Sequence, residues 1–180
     1  VHVPYKPKSK GLGNSQVLPR DYVKQQEIEL VLSEMAEQVA IRLRAIRKKT
    51  TTVSISIGYS RFEESTSFRG QMKIEPTNQT EELQKYVISL FRKKYNGGAV
   101  RSISVFYSSF VDENITMLSL FDDPEEILKK ERLQTAIDAI RSQFGFTTLQ
   151  KANSLTSASR SIARSKLVGG HSAGGLDGLK

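Results

Sequence analysis

Cysteine is absent from the 180 residues, so disulfides and thiolate metal sites are excluded and a cytoplasmic setting is permitted. Histidine is scarce: His2 and His171 are the only two, both near chain ends, and without thiolates they make no metal site. No apolar run is long enough to span a membrane, and the opening "VHVPYKPKSK" lacks the apolar core of a signal peptide. There is no GxxxxGK[ST] phosphate loop and no repeat at solenoid periods. Val1 stands where a methionine would, and the sequence is read as a fragment or trimmed piece. The adjacent acids Asp112-Glu113 and Asp122-Asp123 have the residue type of a two-metal site. Each pair sits at an element boundary, where loop solvation and helix capping already account for it.

What is present is charge, unevenly spread over a chain with enough apolar content (38%) for one good-sized domain. The net charge of +8 divides into +8 over residues 1–111, −4 over 112–146 and +4 over 147–180. That division predicts three parts with different partners: a basic globular domain, an acidic helical segment and a basic, glycine-rich tail.

Periodicity gives the elements. Val31, Met35, Val39, Leu43 and Ile46 recur at helical steps, with Glu34, Glu37, Arg42 and Arg44 between them and Asp21 as a candidate N-cap. In "TTVSISIGYS" the period becomes two, with Val53, Ile55 and Ile57 alternating against Thr52, Ser54 and Ser56. "SFRGQMKIEP" alternates likewise, with Phe68, Met72 and Ile74 against Arg69, Gln71 and Lys73. Asn78 and Glu81 have capping-box spacing before the stripe Leu83, Val87, Leu90 and Phe91, which Asn96-Gly97-Gly98 ends. "VRSISVFYSSF" is a further strand with Ile103, Val105 and Tyr107 inward. With an initial strand near Ser15–Pro19, the order is β-α-β-β-α-β. It predicts an α+β, two-layer sandwich with a mainly antiparallel four-stranded sheet and both helices on one face. Asp123-Pro124-Glu125-Glu126 then opens a third helix, with Ile127, Leu133, Ile137, Ile140 and Phe144 as its apolar side. "NSLTSASRSIARSKL" has the pattern of a short basic helix, and the glycine-rich end is read as a flexible tail.

The sheet face turned away from the helices would carry Thr52, Ser54, Ser56, Ser102 and Ser104 among Arg69, Gln71 and Lys73. Small hydroxyls interleaved with cations let a phosphate backbone approach closely, and Arg61 and Arg101 add charge beside them. The segment "KPKSKGLGNS" contributes Lys6, Lys8, Ser9, Lys10, Asn14 and Ser15, with glycines for close approach. A merely solvated outer face is the plainer reading of the same pattern. Ser and Thr at the central positions favour backbone contact over base stacking, hence duplex or primer–template over single strands. Phe106 is the one aromatic with outward parity and bears against that preference.

Between the last strand and the third helix lies "NITMLSLFDD". Two leucines and an aromatic in an extended segment can anchor in a preformed apolar pocket of a partner. They can equally pack beneath the third helix as a hydrophobic staple.

"PKSKGLGNSQVLPRDY", "VSISIGYS", "SFRGQMKI" and "VRSISVFYSSF" followed by "MLSLFDD" resemble the C-terminal part of a Y-family translesion DNA polymerase, of the UmuC-type UV-damage repair branch in Gram-positive bacteria. The similarity covers essentially the whole chain, tail included. It implies a little-finger domain that grips a template–primer duplex through backbone contacts, within an error-prone polymerase of the SOS response to DNA damage. It also implies that the catalytic carboxylates and their Mg²⁺ belong to a palm this chain lacks, leaving no cofactor here. Leu118-Ser119-Leu120-Phe121 resembles the family's sliding-clamp motif, with Met117 where glutamine is usual. The implied partners are therefore template–primer DNA, the bacterial sliding clamp and, through the tail, other repair proteins. A ferredoxin-like RNA-binding module and a pure protein-interaction domain stand as the alternatives.

Overall fold

A computed structural model describes residues 11–64, 67–114, 123–168 and 171–172, the last pair and 167–168 as backbone only. The elements run β1 (Gly11–Tyr22), α1 (Gln25–Ala45), β2 (Lys48–Tyr59), β3 (Phe68–Thr77), α2 (Thr80–Arg92), β4 (Val100–Asp112) and α3 (Pro124–Phe144). Short 3₁₀ turns at Phe146–Thr148 and Ala152–Leu155 follow, then α4 (Ser161–Arg164) and the small pair β5 (Leu167–Val168) and β6 (His171–Ser172). The predicted β-α-β-β-α-β order and α+β class are both present. The four-stranded sheet has the order β1-β4-β2-β3, and every neighbouring pair is antiparallel. Each helical crossover thus joins two strands that have another strand between them.

Alternation in the strands turns Val53, Ile55, Ile57, Ile103, Val105 and Tyr107 into one buried layer against α1 and α2. Tyr107 is fully buried, and its hydroxyl donates to the carbonyl of Ala36 at 3.0 Å, which satisfies the one polar atom it carries inward. Burial pushes that phenol well above its ordinary range. The two helices are clamped side by side by Arg92, whose Nε and Nη2 reach the Glu29 carboxylate at 2.7 and 2.6 Å.

Two expected helix caps are not made. Asp21 belongs to β1, where it accepts from Ser60 Oγ at 2.7 Å and pairs with Arg101, and α1 starts three residues beyond it from Lys24 without a side-chain cap. Asn78 donates instead to the Lys48 carbonyl, while Thr77 accepts from the Gln79 amide and donates to Glu82. Thr77 thereby takes the turn-forming part expected of Asn78. At α3 the expectation holds: Asp123 accepts from the Glu125 amide at 2.9 Å, with Pro124 opening the helix.

α3 differs from expectation in which side it buries. Leu133, Ile140 and Phe144 of its apolar stripe are exposed, and Arg141 is its one buried residue. The helix is held by charge: Arg44 reaches Asp138 with Nε at 2.5 Å and Nη2 at 3.0 Å, and Arg141 reaches Glu37 at 3.0 Å. Beyond it the chain returns to the far side of α1. Ala158 joins the core, the Tyr22 hydroxyl donates to its carbonyl at 2.9 Å, and Arg164 Nε donates to Gln16 at 2.8 Å. α1 is therefore covered on two sides, which explains why Glu34 and Glu37, set between the apolar positions of its stripe, are buried too. Instead of one basic helix over 153–167, this return is a 3₁₀ turn and the four-residue α4, with Leu155 exposed.

Candidate nucleic-acid interface

Strand register places the outward residues of the sheet in rows. Ser15, Ser104, Ser56 and Arg69 are direct neighbours across the four strands. The next row is Gly13, Phe106, Ser54 and Gln71, and the one after is Gly11, Ser108, Thr52 and Lys73. Toward the other end, Val17, Ser102 and Gly58 are aligned. The face thus has low relief over β1, β4 and β2, and a wall of long polar side chains along β3. Its hydroxyls interact sparingly: Ser15 Oγ donates to Ser104 Oγ at 2.8 Å, and Ser54 Oγ lies 3.5 Å from Gln71 Oε1. Arg69 and Lys73 are exposed beside them.

Of the candidate contact residues, Ser15, Ser54, Ser56, Arg69, Gln71, Lys73, Ser102 and Ser104 share this face. Thr52 shares it but is nearly inaccessible between Ser108 and Lys73, so it offers no hydroxyl to a ligand. Asn14 corrects the sequence reading. One residue from Ser15 in a strand of period two, it points to the helix side and donates to Gln38 of α1 at 3.0 Å. Arg101 stands where the register of β4 shifts and pairs with Asp21 at 3.5 Å, at the border of the face. Arg61 lies past the end of β2, with its guanidinium over the Phe62 ring. Lys6, Lys8, Ser9 and Lys10, and Met117, Leu118, Ser119, Leu120 and Phe121, lie outside the described residues.

Sequence reasoning took Gly11 and Gly13 only as glycines for close approach, without placing them on this face, and it missed Gly58 and Ser108. The signal was available, since extending the alternation of the first strand back from Ser15 puts both N-terminal glycines outward. A methyl at Gly11 would sit 2.5 Å from Phe106 Cε1 and Cζ, and one at Gly13 closer still to Cδ2. A methyl at Gly58 would collide with the Ser102 hydroxyl. These glycines keep the face flat and leave room for one aromatic ring. Among the described residues no cluster of His, Asp and Glu could hold a metal, and no helix is long and apolar enough to cross a membrane.

A two-layer sandwich with one helical face and one open, cation-walled face defines a domain of the little-finger class. The chain belongs to the impB/mucB/samB family, matching the C-terminal domain of that family over residues 9–120. It is 39% identical over 160 residues to UvrX of Bacillus subtilis, named as a UV-damage repair protein, covering 88% of this chain and 38% of that protein. It is 37% identical over 164 residues to DNA polymerase IV 2 of the same species, covering 90% of this chain and 39% of the relative. It is 34% identical over 165 residues to DNA polymerase IV 2 of Halalkalibacterium halodurans, covering 91% and 40%. The chain thus spans about two fifths of the length of these curated relatives. The resemblance to the C-terminal part of Y-family polymerases is borne out.

Proposed function

We propose that this chain is the DNA-gripping and clamp-binding region of an error-prone translesion polymerase, acting in the cytoplasm during the SOS response. The observation that carries it is the cross-strand array Ser15, Ser104, Ser56 and Arg69, flanked by Gln71 and Lys73. Hydroxyls and cations in register, with the Phe106 ring as the aromatic side chain beside them, suit a phosphate backbone of any sequence. The relatives' names, DNA polymerase and UV-damage repair, support the DNA of a template–primer as the ligand. On this reading Mg²⁺ is the business of a palm domain, and residues 117–121 serve the sliding clamp.

Binding to labelled primer–template across a salt series tests it. Affinity should fall steeply with salt, each neutralised phosphate adding about 0.9 to the log–log slope. Arg69→Ala and Lys73→Ala should each lower that slope by roughly one contact while weakening all sequences alike. A strong preference for a single sequence, or binding indifferent to salt, would sink the proposal.

A further inference from the structure

Phe106 is an aromatic residue on the open face, and phosphate contact does not explain it. It stands near the middle of the sheet, between Gly13 and Ser54 in register, and is 45% exposed. It takes no part in the core, which lies on the other side of the sheet. Its ring reaches over β1, into the space that side chains at Gly11 and Gly13 would fill. The glycines therefore seat the ring low on the sheet, and its accessible surface points the same way as Arg69 and Lys73. An apolar ring held open to water in a field of hydroxyls is suited to a flat π-surface.

A paired base inside a duplex presents its edges, because its faces are taken by its neighbours in the stack. An unpaired base has a free face, and every base has one whatever its identity. We propose that Phe106, seated on Gly11 and Gly13, is a stacking platform for one unpaired nucleobase of a DNA strand whose phosphates the surrounding face holds. The inference rests on the DNA-binding reading and adds to it a contact to a base. It gives the domain a means of telling a primer–template junction from continuous duplex, without reading sequence.

The test compares three DNAs at one salt concentration: a blunt duplex, the same duplex with a short single-stranded template overhang, and that overhang built from abasic nucleotides. The last keeps the sugars and phosphates and removes only the faces to be stacked on. The wild-type chain should bind the base-bearing overhang about fivefold or more tightly than the abasic one, the low end of what one base–aromatic stack contributes. Phe106→Leu keeps apolar volume without an aromatic face and should bring the ratio to one. Phe106→Trp should preserve it. Gly13→Ala displaces the ring without removing it and should reduce the ratio. Equal affinity of the wild type for the two overhangs, or a ratio that survives Phe106→Leu, overturns the inference while phosphate binding stands. Failure to bind any of the three DNAs overturns both together.

Discussion

Arg141 of α3 donates from Nη1 to Oε1 of Glu37 on α1 at 3.0 Å, across 104 residues of sequence, and the two side chains are only 7% and 10% exposed. Nε and Nη2 of the same guanidinium donate to the Leu149 carbonyl, and its plane lies over the Phe146 ring. One side chain therefore joins α1, α3 and the turn after α3. Removing only its partner leaves a buried cation uncompensated, which typically costs about 3–5 kcal/mol. Glu37→Ala should lower the melting temperature markedly. The double change Glu37→Leu with Arg141→Leu should be milder than the single one, because no charge is then stranded. Melting curves of the three proteins check this.

Glu34 gives a pH dependence of definite sign. Burial raises its carboxyl above the ordinary 4.5, against the hydrogen bonds from Ser159 and the Arg160 amide and the charge of Arg164, with Glu37 adding to the rise. A carboxyl whose folded value is raised contributes stability while protonated and loses it as pH climbs through that raised value. The stability difference between wild type and Glu34→Gln should therefore fall as pH rises from about 4, then level off. Burial works against the charge of Arg164 as well, but the guanidinium stays protonated over this range, so the slope is that of the Glu34 carboxyl. Urea titrations at a series of pH values read it.

The exposed stripe of α3 should be almost silent in stability. Leu133→Ser and Phe144→Ser alter side chains that are 62% and 63% exposed, so each should fall within about 0.5 kcal/mol of wild type. Leu43→Ala, a fully buried position in α1, should cost about 2–5 kcal/mol in the same chemical denaturation assay. A large effect at Leu133 would show that this side of α3 is covered in solution.

If residues 117–121 serve the sliding clamp as proposed, clamp binding should be separable from folding. Phe121→Ala should cost roughly 2 kcal/mol or more of affinity for the sliding clamp with the melting temperature unchanged. Met117→Gln should tighten the complex by restoring an amide. A staple beneath α3 has the opposite signature, a lowered melting temperature and intact clamp binding.

The sheet was legible because its signal is local. Val53, Ile55 and Ile57 alternate with hydroxyls, and one buried face follows from a period of two. Asn14 was misplaced by being read with its basic neighbours when strand parity already set it opposite to Ser15. Asp21 and Asn78 have capping chemistry, but stronger partners, Ser60 and Arg101 for one and the Lys48 carbonyl for the other, hold them elsewhere. The second covered side of α1 was not legible at all. Glu34 and Glu37 look like solvent-facing acids within their own helix, and their partners Ser159, Arg160 and Arg141 come from 104 to 126 residues later. No short window contains such a pair.

The return of the chain onto α1 also orders events during synthesis. Tyr22 waits for the carbonyl of Ala158, 136 residues on, and Gln16 for Arg164, 148 residues on. At about 5–20 residues per second, the ribosome needs several seconds to pass from the end of β4 to α4. The sheet and its two helices can close in that interval, while the outer side of α1 still lacks its cover. A nascent chain stalled before residue 158 should therefore hold a finished sheet beside a helix whose Glu34 still faces water, because its partners Ser159 and Arg160 are not yet made. The segment that follows then converts this acid from a surface group into a buried partner, so the cover of α1 is completed from its far end.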